Sequence, residues 1–231
     1  MKLPWAILVL ASVFPTLGAL VYFVVAEPGP LLRVTYTTAK IVQFAFPLLF
    51  LWWWNRPRLL AVRFSWRGTG FGLAFGALLF LTIFGAYFLY FRAGPLFAQV
   101  GSAVREKVAG LGLDTPWLFL VLACFISFAH SFLEEYYWRW FVHAGYRERL
   151  PQSWAIAFSS LAFAAHHVIV LDIYFHGQFW VATLPFTLAV ILGGAIWAWW
   201  YDRAGSLAGT WLSHIAADLA LMGIGYDLLY R

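Results

Sequence analysis

Seven continuous apolar runs, each bounded by charge, Pro or Gly, govern what this chain can become. They lie at approximately 3 to 26, 35 to 54, 71 to 91, 117 to 146, 154 to 175, 179 to 202 and 207 to 230. A bilayer core about 30 Å thick takes roughly 20 mostly apolar residues per helical crossing, and each run is about that long. A barrel would show strands of about ten residues with alternating polarity instead. The runs therefore predict an all-α polytopic transmembrane bundle of about seven spans, or eight if one is hidden, forming a single integral membrane domain over residues 1–231. Composition agrees, because no soluble globular domain is 63% hydrophobic with only 11% charged residues.

The basic residues bear on topology. A net charge of +5 in a soluble chain would prompt a search for a nucleic-acid face, but here the basic residues are mostly in loops. The expected partners are lipid and a membrane protein or peptide substrate, with no nucleic acid. One side carries Lys2, Arg56, Arg58, Arg63, Arg67, Arg147, Arg149 and Arg203; the other carries Arg33, Arg92, Arg105, Lys107 and Arg231. The richer side has the shorter loops, so the positive-inside rule puts the N-terminus in the cytoplasm of a cell inner or plasma membrane and, with seven spans, the C-terminus outside. Lys40 and Arg139 fall inside spans and do not enter the count. Trp52, Trp53, Trp54, Trp197, Trp199 and Trp200 lie near predicted ends, where interfacial aromatic belts form.

Three local features complete the outline. The run at 3 to 26 is too long for a signal-peptide core and reads as a retained first span. Residues 55–70 interleave four Arg with apolar side chains and suit the headgroup region; 92–116 holds either a short amphipathic surface helix or a loop. Cys124, the single cysteine, forms no intrachain disulfide.

Ionisable residues at membrane depth are costly and mark function by default. The fourth run holds His130, Glu134, Glu135 and Arg139, the fifth His166 and His167, and the seventh His214 and Asp218. Glu135 and Arg139, four apart with the Glu first, form a same-face ion pair on a helix. Glu134 is rotated by about 100° and faces another neighbour. His214 and Asp218 also share a face. At about 1.5 Å per residue, Glu134, His167 and Asp218 lie roughly 17 to 20 Å from the Arg-rich side, with His214 at roughly 11 Å. His143 and His176, near helix ends, are expected to be solvated, and His166 to make a structural contact between helices.

These residues resemble the CAAX-processing and bacteriocin-immunity-type family of intramembrane proteases. That family carries EExxxR, FxxxH and HxxxN or HxxxD motifs on separate spans; here they are Glu134-Glu135-Tyr136-Tyr137-Trp138-Arg139, Phe163 to His167, and His214 to Asp218. The resemblance covers roughly residues 117–220 and none of the first hundred. It implies a glutamate-dependent endopeptidase with Glu134, His167, His214 and Asp218 as catalytic residues and no cofactor. Glu134 is the general base on a water that His167 also holds, and His214 with Asp218 stabilises the oxyanion. Glu135, Arg139 and His130 support the site or bind substrate. The chain departs from the prenyl-protein proteases in having Asp218 where they have Asn, and from members with an eighth span.

Rival readings use the same residues. Glu134, His167, His214 and Asp218 are a conceivable zinc set, although the HExxH signature of a zinc-protease helix is absent. A proton-coupled transporter would show paired repeats or broken helices in both halves, whereas these polar residues crowd into the C-terminal half. A non-catalytic immunity or scaffold protein on the same fold is the third alternative.

Overall fold

A computed structural model describes residues 2–26, 29–54, 64–66, 68–97 and 99–231. Residues 55–63 and 67, most of the Arg-rich stretch, lie outside the described residues. Among the described residues, seven helices are long and apolar enough to cross a membrane: α1 (Trp5–Val25), α2 (Pro30–Trp53), α3 (Thr69–Phe91), α5 (Pro116–Arg147), α6 (Gln152–Tyr174), α7 (Phe179–Ala204) and α8 (Ala208–Tyr230). Between α3 and α5 the short α4 (Val100–Gly110) buries Val100 and Val108, which settles 92–116 as containing a helix. The protein is an all-α polytopic membrane bundle.

The apolar runs place six of the seven spans within about two residues at each end. The start of α2 is the exception, because Arg33 reads as a boundary in the sequence. Pro30 opens the helix at a position where its missing N–H is no loss, and the Arg33 side chain turns outward so that Nε donates to Gly110 O at 3.3 Å.

Close approaches between helices position the polar layer. A Cβ on Gly72 of α3 would overlap the backbone of Gly209 on α8, and one on Gly76 would sit 3.0 Å from the Ser213 Cα. Small residues let two backbones touch where lipid supplies no hydrophobic drive for helix association, and this contact fixes α8 beside His214. Gly194 of α7 similarly admits Phe163 and Ser160 of α6. Near one end of the bundle, α1 holds α5, with Tyr137 OH donating to Ala11 O at 2.7 Å and Ser12 and Tyr146 sharing a 2.9 Å hydroxyl contact. Towards the other, Asp227 of α8 accepts from Tyr87 OH at 2.8 Å and from Arg92 at 2.8 and 3.0 Å.

Candidate active site

α5 supplies the two glutamates. It widens into π-type turns over Phe125–His130 and Tyr136–His143, on either side of them, a distortion often found where a helix carries function. As neighbours on a helix, Glu134 and Glu135 point apart, and both are buried.

Glu135 closes an internal network. Its Oε1 lies 3.1 Å from Arg139 Nη1, one turn along, and 2.9 Å from His214 Nδ1 on α8. The Arg139 guanidinium also lies 4.6 Å from the centre of the Phe163 ring and 5.0 Å from that of Trp197, cation–π contacts that add to its compensation. His214 stacks on Trp197 with ring centres 4.4 Å apart and planes 19° from parallel. Trp197 in turn donates to Ser213 Oγ at 2.8 Å.

Glu134 is set differently. Its Oε1 lies 3.9 Å from His130 Nε2 and 3.7 Å from His166 Nε2, and its Oε2 lies 3.8 Å from His214 Nε2. These separations exceed a direct hydrogen bond. A water placed about 2.8 Å from each partner would join a carboxylate and an imidazole so spaced. His214 Nε2 also stands 3.8 Å from Asp218 Oδ1, the geometry expected of two residues one turn apart.

Within 4.0 Å of the Glu134 carboxylate, among the described residues, the imidazoles are those of His130, His166 and His214; His167 is not one of them. His167 packs against His166 with ring centres 4.1 Å apart, and its Nδ1 lies 2.9 Å from Phe163 O. An N–H at Nδ1 donating to that carbonyl leaves Nε2 with its lone pair presented. The FxxxH spacing thus orients the ring that ends it, since the acceptor is the first residue of the motif.

His166 makes a contact between helices, as expected, and its partner is the carboxylate of Glu134. Two sequence expectations need correction. Trp197 belongs to no interfacial belt: it is buried against His214 and Arg139, whereas Trp52 and Trp53 are exposed as a belt requires. His143 is not solvated but fully buried, with Nε2 at 3.0 Å from Asp202 Oδ1 and Nδ1 at 3.2 Å from Ser159 Oγ. Distance from a helix end was the only sequence signal for Trp197 and His143, and it does not report which way a side chain points.

The comparison with protein families falls on the half of the chain that holds this site. Residues 115–220 match the family model described as Type II CAAX prenyl endopeptidase Rce1-like. That segment is similar to the CAAX-protease family. The match begins just before α5 and ends two residues beyond Asp218, so it encloses every motif residue, Glu134 to Arg139, Phe163 to His167 and His214 to Asp218. The family is one of membrane peptidases. No curated protein and no solved structure matches the chain.

Proposed function

We propose that the protein is an intramembrane endopeptidase that hydrolyses a peptide bond near the membrane in a lipid-anchored or membrane-tethered protein, using water activated by Glu134. The observation that carries this reading is the setting of Glu134: a buried carboxylate at mid-membrane with imidazoles from α5, α6 and α8 around it at 3.7 to 3.9 Å. A structural ion pair would draw such groups into direct contact, as it does at Glu135.

Glu134 takes a proton from the water as it attacks the scissile carbonyl, and the Nε2 lone pair of His167 holds the same water on its other side. His214 donates to Glu135 through Nδ1; with a proton on Nε2 as well, it faces the carbonyl oxygen as that oxygen gains charge. Asp218 stands where the prenyl-protein proteases of the family have Asn, and in its protonated form it offers an O–H in place of an amide N–H. Glu135 and Arg139 hold His214 in register, and His130 supports Glu134 from one turn before. Collapse of the tetrahedral intermediate returns the proton from Glu134 to the leaving amine.

Membrane orientation follows the same side count as before, with the N-terminus in the cytoplasm. A zinc-dependent variant of this reading would need three or more ligands converging on one point. Among the described residues no group of three His, Cys, Asp or Glu is so arranged, so no step here runs through a metal. Activity that survives strong chelators separates the two readings, and loss of activity restored by zinc supports the metal. The deciding experiment is cleavage of an S-prenylated or otherwise lipid-anchored reporter by the protein in nanodiscs. Wild type is expected to release the tail and the Glu134→Gln variant to leave it intact. Equal cleavage by the two removes Glu134 as the base and overturns the proposal, and cleavage by neither leaves the non-catalytic scaffold.

A further inference from the structure

The short helix α4 packs on the last turns of α8, at the end of the bundle opposite the Arg-rich loops. Its Val100 and Val108 enter apolar clusters that include Ile224, Leu228 and Leu229 of α8. The adjoining stripe of α4 carries Ser102, Arg105 and Glu106, and these turn to a groove of about 610 Å³ that Phe97, Leu228 and Arg231 complete. The groove stands at headgroup level. Tyr90 near the end of α3, Trp117 at the start of α5 and Tyr226 near the end of α8 are all exposed at the same end of the bundle, as an interfacial aromatic belt is.

Both signs of charge face the groove without an ion-pair partner. Arg105 and Glu106 are exposed. Among the described residues no carboxylate lies within 4.0 Å of the Arg105 guanidinium, and no cation within 4.0 Å of the Glu106 carboxylate. Consecutive helix residues point about 100° apart, which keeps the two charges from each other while both line the groove. Arg105 Nη2 gives one hydrogen to Leu229 O at 3.3 Å, and Arg231 Nη1 gives one to Arg92 O at 3.3 Å. A guanidinium carries five N–H donors, so most of their capacity remains. Asp227, at 3.6 Å from Arg231, is already bound by Arg92 at 2.8 and 3.0 Å and by Tyr87 OH at 2.8 Å. Ser102 Oγ donates to Gln99 O at 2.7 Å and keeps its lone pairs to accept.

A simple anion between the two arginines would set its charge against Glu106, and a simple cation at Glu106 would leave the arginines unanswered. A phosphodiester joined by a short link to a primary ammonium answers both, and Phe97 with the buried Leu228 offers apolar surface beside it. We propose that this groove binds the headgroup of phosphatidylethanolamine, with Arg105 and Arg231 on the phosphodiester and Glu106 on the ammonium. Water-soluble phosphoethanolamine esters share this chemistry; the level of the groove, among the interfacial aromatics, favours the lipid. α4 precedes the segment that matches the family model, and the inference stands apart from the proteolytic reading because lipid binding is read without turnover.

The test titrates purified protein in detergent micelles with phosphatidylethanolamine, phosphatidylcholine or phosphatidylglycerol of the same acyl chains, counting bound lipid by native mass spectrometry. Phosphatidylethanolamine is expected to bind about tenfold more tightly than phosphatidylcholine, whose quaternary ammonium has no N–H to give Glu106. It should also bind more tightly than phosphatidylglycerol, which brings no cation. Glu106→Gln should take the ethanolamine-to-choline ratio to near unity, and Arg105→Gln should weaken both lipids by about tenfold. Both side chains are exposed, so the unfolding midpoint of each variant should match wild type. Equal binding of the two lipids by wild type, or a preference that survives Glu106→Gln, overturns the proposal. So does phosphatidylglycerol bound as tightly as phosphatidylethanolamine, which leaves a simple anion site. Glycerophosphoethanolamine that displaces the lipid at equal concentration overturns it as well, because the ligand is then a soluble one.

Discussion

Among the described residues, two clusters of histidine and carboxylate lie within this bundle, and they are built on different plans. At the Arg-rich end, Asp202 accepts from His143 at 3.0 Å, from Arg147 at 3.0 Å and from Gln152 at 2.9 Å, while His143 turns its other nitrogen to Ser159 at 3.2 Å. Every polar group there has a direct partner. At mid-membrane, Glu134 stands 3.7 to 3.9 Å from three imidazoles, beside a Glu135 that is bonded directly to His214 and ion-paired with Arg139. On the proposed function, the difference separates a polar network that ties helices together from one arranged around something that must come and go. Saturated contacts lower the energy of the fold; a carboxylate held short of contact stays available to a water and a substrate.

The sharpest break in the comparison is between Glu134 and its neighbour. Glu134→Gln keeps the shape of the side chain and removes the base, so cleavage of a lipid-anchored reporter should fall by about 100- to 10,000-fold while the thermal unfolding midpoint in detergent moves little. A large loss of stability instead would place Glu134 among the structural groups.

Glu135 should behave in the opposite way. Glu135→Gln strands the buried Arg139 charge, and breaking a buried pair from one side costs about 3 to 5 kcal/mol. Unfolding measured by denaturant titration should show that loss, and pairing the change with Arg139→Met should recover most of it. A Glu135→Gln protein as stable as wild type would mean that the Phe163 and Trp197 rings suffice to hold the cation.

How much of this was legible in the sequence depends on what set each residue's position. The spans follow from the length of apolar runs, and the contacts of Glu135 with Arg139 and of His214 with Asp218 follow from the four-residue repeat of a helix, so both could be read directly. The choice between His166 and His167 could not: adjacent residues differ by about 100° in direction, and which of them faces α5 depends on the rotation of α6, set by Gly194 packing against Phe163 and Ser160. Trp197 and His143 were misplaced for the same reason, since depth along a helix is linear in sequence and orientation around its axis is fixed by neighbours.

The two histidines of α6 sharpen the comparison within the active cluster itself. His167→Ala is expected to reduce cleavage about as far as Glu134→Gln does, because in the proposed mechanism it removes the second ligand of the water. His166→Ala should cost roughly tenfold, within what a misplaced neighbour produces. Reporter assays of the two variants, with folded protein level as control, decide the order; a reversed order transfers the water to His166, whose Nε2 is already 3.7 Å from Glu134.

The smallest effect on activity belongs to the saturated cluster. Asp202→Ala withdraws the acceptor from His143, Arg147 and Gln152 at once. Arg147 and Gln152 can turn to water, because their contacts are exposed, and contribute little when lost. His143 cannot, since it is fully buried between α5, α6 and α7, and an unsatisfied buried donor costs about 1 to 3 kcal/mol. The unfolding midpoint should therefore drop while kcat/KM, measured well below that midpoint, stays within about twofold of wild type. Asp202→Asn should recover part of the stability, because its amide oxygen can still accept from His143 Nε2. If Asp202→Ala instead impairs cleavage in fully folded protein, the Arg-rich end takes part in substrate handling, and the division between a cluster that binds helices and one that does chemistry fails.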